Sequence, residues 1–260
     1  MVAIRSVIFN ILFYLSLIIQ MLVFTPVYFL LPRKKAYFIP KFWARTNLWL
    51  MRVICGTTFE IEGLENLPKG SFIFSPKHQS FWDTFAFLPY LDDPIYILKR
   101  ELLWIPVFGW YVAKQRMIPV NRAAKGKAMT DVMRRTLDEM KVGRQLIIYP
   151  EGTRRPPGAE PLYKYGIARL YRDLNMPVVP VVHQAGLFWP RRKSIRNPGV
   201  IKARILPAIE PGLETDVFYN MLVKTMEEAS DKILLETIDT NPGLPLPQTA
   251  RERLAVLRPA

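Results

Sequence analysis

This chain of 260 residues holds one cysteine and two histidines. A lone thiol, Cys55, excludes an internal disulfide and a cysteine metal cage, and it suits a reducing compartment. His78 and His183 are too few for a histidine-rich metal site, so no metal is expected. Acidic residues are also short, at 22 against 36 Lys and Arg, a net charge of +14. That excess favours an anionic partner: a membrane surface, a phosphorylated substrate, an acidic protein or nucleic acid. No nucleic-acid module and no internal repeat can be found, so nucleic acid is not an expected partner. The most telling absence is local. Between Ser6 and Pro32 there is no charged residue.

Val7 to Leu31 is almost entirely apolar, and about 20 such residues suffice to cross a bilayer as a helix. A core helix is rarely this long and apolar all round. A signal peptide is shorter and ends at a small-residue cleavage site, whereas Phe24-Thr-Pro-Val-Tyr-Phe follows here. Membrane insertion is therefore expected. Arg33, Lys34 and Lys35 come next, and the positive-inside rule puts them and everything after them in the cytoplasm if the helix spans. The expected place is then a membrane, with the bulk of the chain on its cytoplasmic face. Tyr37 to Cys55 reads as a second helix, with Phe38, Phe42, Trp49 and Val53 near helical spacing among Lys41, Arg45 and Arg52. It lies at a membrane surface or packs on a core, and the pair of helices spans or forms a re-entrant hairpin.

Beyond Gly56, short apolar runs alternate with helical patterns. Strands are predicted at 57–62, 72–74, 94–98, 117–120, 145–150, 176–182 and 200–206. Helices are predicted from Asp83 to Leu88, along the Met129, Val132, Met133, Leu137, Met140 stripe, near 165–174, and from Glu214 to Ile238. Trp104-Ile-Pro-Val-Phe-Gly-Trp-Tyr divides between core and a membrane-facing or acyl-facing surface. Alternating strands and helices predict an α/β fold with a mostly parallel sheet flanked by helices. Three parts follow: membrane-anchoring helices at 1–56, an α/β domain at 57–240, and a Pro-rich, loosely ordered tail at 241–260. In such a sheet the ligand site lies beyond the carboxyl ends of the strands.

Phe72-Ile-Phe reads as the end of a buried strand, and Pro76 turns it into a loop that carries His78, with Asp83 five residues on. On a continuous helix these two would stand about 140° apart, so the pair needs a loop-to-helix turn. An Asp on one imidazole nitrogen leaves the other free as a base. The same residues also fit a capping box, with Ser80 as N-cap and Asp83 three residues later. Glu151-Gly-Thr-Arg154 follows another buried strand. Gly152 allows close backbone approach, while Thr153 and Arg154 are donors that suit a phosphate or a solvated turn. Lys99 and Arg122, each at a strand end, would add two more cations to the same rim, or are ordinary surface charge.

Taken together, His78-x4-Asp83, Lys99-Arg-Glu-Leu with Pro106-x-x-Gly109 and Ile118-Pro-Val-x-Arg122, Glu151-Gly-Thr-Arg154 and Val179-Pro-Val resemble the four ordered motifs of the glycerolipid acyltransferases. Tyr163-Lys-Tyr-Gly166 also resembles the segment that follows the third motif. The likeness covers roughly residues 71–182 and points to the lysophosphatidic acid acyltransferases of bacteria. It implies acyl transfer from a thioester, acyl-CoA or acyl carrier protein, to the 2-hydroxyl of 1-acyl-glycerol-3-phosphate. It implies His78 as general base and Asp83 as its orienter. Lys99, Arg122 and Arg154 would hold the phosphate with Gly152 and Thr153, and Glu151 would contact glycerol or position a cation. No cofactor is called for. Two other readings are a different lysolipid acceptor, such as lyso-ornithine lipid, and a non-catalytic protein that binds anionic lipid.

Overall fold

Runs of Val, Ile and Phe too short for helices pair into a seven-stranded sheet in the computed structural model, which describes residues 1–120 and 127–259. The strands are β1 (Thr57–Glu62), β2 (Phe72–Pro76), β3 (Pro94–Lys99), β4 (Ile118–Val120), β5 (Gln145–Ile147), β6 (Val178–His183) and β7 (Gly199–Ile205). Their order is β1-β7-β6-β2-β5-β3-β4. Pairing is parallel throughout except between β6 and β7. After β6 the chain makes only the short helix α7 (Ala185–Phe188) and a loop, then returns at the same end, which forces the antiparallel pair.

The α-helices besides α7 are α1 (Val2–Leu30), α2 (Arg33–Ala36), α3 (Phe38–Leu50), α4 (Phe108–Lys114), α5 (Lys127–Met140), α6 (Gly166–Leu174), α8 (Thr215–Thr240) and α9 (Gln248–Leu257). Period-two alternation sends side chains to both faces of the sheet. Ile73, Leu146, Val178 and Val182 meet α5, α6 and α8, while Phe72, Phe74, Val179 and Val181 meet the layer built on α1 and α3. All of β2 is buried, as a central parallel strand should be.

The N-terminal helix does not stand away from the domain. Ser6, Phe9, Phe13 and Tyr28 are buried along it. Phe13 packs edge-on against Phe81 and Trp189, and Tyr28 donates to the Tyr111 carbonyl at 3.0 Å. Much of the remaining surface of α1 is apolar and exposed, including Ile11, Leu15, Ile18, Leu22 and Val23. The second helix presents two faces. Ile39, Ala44, Leu48 and Met51 are buried, whereas Phe38, Phe42, Trp49 and Val53 are exposed.

Arg33, just after α1, is pinned to the domain by both oxygens of Asp93, at 2.6 and 2.7 Å. Fully buried Arg144 stands 3.2 Å from the same carboxylate. Burial alone would raise the Asp93 carboxyl, but the hydrogen bonds from Arg33 and the charges of Arg144 and Arg33 outweigh it and hold it below the usual range. A carboxyl depressed in the folded state adds stability above its unfolded pKa of about 3.9, and that stability disappears as pH falls through the folded value. Asp93→Asn should therefore lower stability at neutral pH by about 3 kcal/mol, the cost of breaking a buried pair on one side. The gap between wild type and variant in thermal unfolding should close below about pH 4.

Two expected features come out differently. Asp83 to Leu88 is not a helix. The chain makes 3-10 turns at Trp82–Thr84 and Leu88–Tyr90, with Phe85, Ala86 and Phe87 buried between them. Of Asp83 to Leu88 only Thr84 is half-exposed, so the stretch has no polar helical face to offer. The tail is ordered as well. Pro247 leads into α9, whose Ala250 is fully buried. Thr249 donates to the Pro157 carbonyl at 2.7 Å, and Arg253 pairs with Asp231 of α8. Those partners lie far away in sequence, which is why the prolines alone read as a loose tail.

Candidate active site

β2, β5 and β3 are adjacent and parallel. Their carboxyl ends therefore deliver His78, Glu151-Gly-Thr-Arg154 and Lys99 to one edge of the sheet. Strand spacing puts the outer two roughly 10 Å apart at the backbone. The other expected cation, Arg122, lies outside the described residues.

His78 sits on the loop after β2, its side chain 14% exposed, with Nδ1 2.8 Å from Asp83 Oδ1. The other Asp83 oxygen, Oδ2, accepts the backbone N–H groups of Gln79 at 2.9 Å and Ser80 at 2.7 Å. One oxygen of the carboxylate thus serves the imidazole and the other the loop backbone, but the capping box itself does not form: the 3-10 turn starts from Phe81, and the Ser80 hydroxyl accepts the Trp82 N–H at 3.1 Å. An ionised carboxylate only accepts, so Nδ1 carries the proton toward it. The lone pair is then on Nε2, which has no hydrogen-bond partner among the described residues. Tyr149 stacks on the imidazole, with centroids 4.0 Å apart, and its hydroxyl donates to the Asp83 carbonyl at 3.1 Å. This fixes the ring plane as well as the tautomer.

Of the two roles open to Glu151, contact with glycerol or positioning of a cation, the second matches its surroundings. It is 2% exposed and points beneath the loop, not toward a substrate. One oxygen accepts the His78 backbone N–H at 2.7 Å, and the other lies 3.5 Å from Lys77 Nζ. Burial raises the Glu151 carboxyl above its ordinary range, and the Lys77 charge opposes the rise. Lys77 also donates to Glu227 of α8 at 2.5 Å, and Tyr163 donates to the same oxygen at 2.6 Å. A buried ammonium needs such acceptors, and it draws Glu151 inward. The Arg155 N–H donates to the His78 carbonyl at 2.7 Å, so His78 is held on both sides of its backbone by one loop.

Gly152 has φ +68, and a Cβ there would meet Lys164 Cγ at 3.2 Å, so the turn needs glycine. Thr153 is exposed and Arg154 half-buried. The Arg154 guanidinium lies 5.2 Å over the Phe81 ring, which holds it as a cation–π pair. Lys99 is exposed at the rim.

His183, which the sequence left without a role, is fully buried beside this cluster, 3.6 Å from Asp83 Oδ2. Its Nε2 donates to the Lys77 carbonyl at 2.8 Å and its Nδ1 accepts from the Ala185 N–H at 3.2 Å. Burial pushes this imidazole down, so it is neutral and leaves the Asp83 charge to His78. The adjacency of Lys77 to His78 is the only sequence signal that could have marked the supporting set. Nothing local points to Glu227, Tyr163 or His183.

An apolar cleft of about 1190 Å³ runs from His78 between the sheet and helices α5 and α6. Ile97, Val132, Leu137, Ile148, Ile167 and Leu170 line it, and Lys141, Lys164, Arg169, Asp138 and Asp173 belong to the same lining. The arrangement offers a base in the wall of an apolar cleft. No group of His, Cys, Asp and Glu among the described residues has the disposition of a metal site.

A family model described as "Acyltransferase" matches residues 58–184. A 1-acyl-sn-glycerol-3-phosphate acyltransferase of Pseudomonas aeruginosa is 35% identical over 181 residues, covering 69% of this chain and 70% of that one. A chloroplastic 1-acyl-sn-glycerol-3-phosphate acyltransferase of Arabidopsis thaliana is 29% identical over 203 residues, covering 76% of this chain and 55% of that one. The crystal structure of the 1-acyl-sn-glycerophosphate (LPA) acyltransferase PlsC from Thermotoga maritima superposes with a TM-score of 0.73. It covers 90% of this chain and 99% of that one at 21% identity, a likeness of fold.

Proposed function

The chain belongs to the glycerolipid acyltransferase family, and from that premise we propose how it transfers an acyl chain to 1-acyl-glycerol-3-phosphate, forming phosphatidic acid. The observation that carries the mechanism is the 2.8 Å His78–Asp83 pair, with no partner for Nε2 among the described residues and His78 in the lining of an apolar cleft. The acceptor 2-hydroxyl attacks the thioester carbonyl while Nε2 takes its proton. The tetrahedral intermediate collapses, the C–S bond breaks, and the proton on Nε2 passes to the departing thiolate. Asp83 stabilises the imidazolium between the two steps. The donor is acyl-CoA or acyl carrier protein, and no cofactor takes part. The apolar cleft takes an acyl chain, and Arg154 and Lys99 take the phosphate, with Arg122 as a third cation.

The membrane holds the acceptor, and the protein must meet it there. α1 is a 29-residue helix of mean hydropathy 2.4 in its most apolar window. It touches the domain near Ser6 and again at Tyr28. A helix crossing the bilayer upright would carry one end about 30 Å away from the domain. A re-entrant or in-plane α1–α3 pair fits better, with Phe38, Phe42, Trp49 and Val53 in the lipid. We place it on the cytoplasmic leaflet, where the thioester donors are made.

The test is an assay of purified protein with lysophosphatidic acid and each donor. Phosphatidic acid is the expected product. A panel that instead prefers lyso-ornithine lipid would reassign the acceptor. Arg154→Ala and Lys99→Ala should raise KM for lysophosphatidic acid, each by the equivalent of about 1.5–3 kcal/mol, the worth of a charge-assisted hydrogen bond. A fall in kcat at constant KM would move them from binding to chemistry.

A further inference from the structure

Within residues 100–110, three large apolar side chains turn outward, the wrong way for a protein surrounded by water. Trp104 is 66% exposed, Ile105 46% and Trp110 57%. The exposure is enforced by the backbone. Val107 has φ 63 and ψ −54, and the Phe108 N–H donates to the Pro106 carbonyl at 2.7 Å. That is a γ-turn of the strained hand, on a β-branched residue. Gly109 is packed so closely that a Cβ would lie 2.0 Å from the Leu103 carbonyl oxygen. A tight, strained knuckle that presents two indoles outward is stable only if what it meets is itself apolar.

The knuckle also has a fixed place. Tyr111 of α4 stacks on Tyr28 of α1, with centroids 3.8 Å apart and planes 10° apart. Lys114 caps the end of α1, donating to the carbonyls of Phe29 at 3.0 Å and Leu31 at 2.7 Å. The exposed apolar end of α1, including Phe29 and Leu30, therefore continues onto residues 104–110. Cations border the patch. The Arg100 guanidinium stands 5.6 Å over the Trp104 ring, and Lys34 and Lys35 are exposed after α1. Tryptophan mixed with Lys and Arg is the composition of a membrane–water interface. Lys99 immediately precedes the knuckle in the chain.

We propose that residues 100–110 are a second membrane-contacting element, in which Trp104, Ile105 and Trp110 enter the headgroup region and set the depth at which Lys99 and the cleft meet the acceptor. It rests on the reading that α1 and α3 contact lipid. The test uses full-length protein in vesicles of phosphatidylcholine and phosphatidylglycerol, with an environment-sensitive dye on Ile105→Cys or, as control, on Phe42→Cys. Cys55 is buried, so the engineered thiol takes the label. Both positions should show blue-shifted emission, quenching by nitroxide carried on the lipid, and little quenching by aqueous iodide. The Trp104→Ser, Trp110→Ser double variant should raise KM for bilayer-borne lysophosphatidic acid roughly fivefold to tenfold and leave kcat near wild type. If position 42 reports lipid and position 105 reports water, the proposal is wrong and the α1–α3 reading stands. If both report water, both are wrong. If thiols at position 105 join two copies in high yield, the patch is a protein interface and the proposal fails.

Discussion

His78→Ala protein, purified and supplied with lysophosphatidic acid and acyl-CoA, should give no measurable phosphatidic acid. A glycerol hydroxyl is a poor nucleophile at neutral pH, and a base that takes its proton during attack contributes about 10²–10⁴-fold. Neither titratable neighbour described beside it can replace it. His183 is fully buried, and its Nε2 proton is committed to the Lys77 carbonyl. The Glu151 carboxylate is 2% exposed and already bonded to the His78 N–H. The fold should survive the change, because the loop is held through the backbone of residue 78, whose N–H meets Glu151 and whose carbonyl meets Arg155. The measurement is initial rate together with thermal unfolding and equilibrium binding of lysophosphatidic acid. Near-normal transfer by this variant would remove the proposed mechanism. Lost transfer together with lost binding and lower melting would say instead that the loop had collapsed.

Asp83→Asn should lower kcat by about 10² or more, with the acceptor KM changing little. The geometry gives the reason. Asp83 supplies acceptors on both sides, one for His78 Nδ1 and one for the Gln79 and Ser80 N–H groups. An amide has one oxygen and one NH₂. If the oxygen faces the two backbone donors, the NH₂ faces Nδ1 and draws the imidazole into the tautomer with its proton on Nε2. The base is then gone. If the oxygen faces Nδ1, the NH₂ opposes two N–H donors in a buried site and the turn loses its cap. As a cap alone, Asn serves about as well as Asp. Unchanged melting with a large loss of kcat is the expected combination. Full activity would reduce Asp83 to a turn residue.

His78 and Asp83 were legible because their relation is local. Five residues of loop can bring those two side chains together whatever surrounds them, and a strand-ending proline marks where the loop begins. The strand and helix succession was legible for the same reason, since period-two and 3.6-residue patterns are written along the chain. So was the charge-free run before Arg33, whose length exceeds what a soluble core requires. The folded chain alone decided which oxygen of Asp83 does which task, since the choice depends on where the Gln79 and Ser80 amides point. The buried Lys77 acquired its counterion from Glu227, 150 residues away, and no local pattern encodes a partner at that distance. Glu151 left two readings open, a glycerol contact or the positioning of a cation, because a carboxylate after a strand end looks the same whether it faces a cleft or a buried lysine. The tail read as loose because its proline spacing is visible, while its partners, the loop at Gly158 against Ala250 and Asp231 of α8 against Arg253, are not. Most of all, an apolar side chain carries no label for what will cover it. Phe9 and Phe13 went to the protein core, whereas Phe38, Phe42, Trp104 and Trp110 stayed outside. The hydrophobic effect drives both sets out of water alike, and only the packed structure shows which had protein to go to.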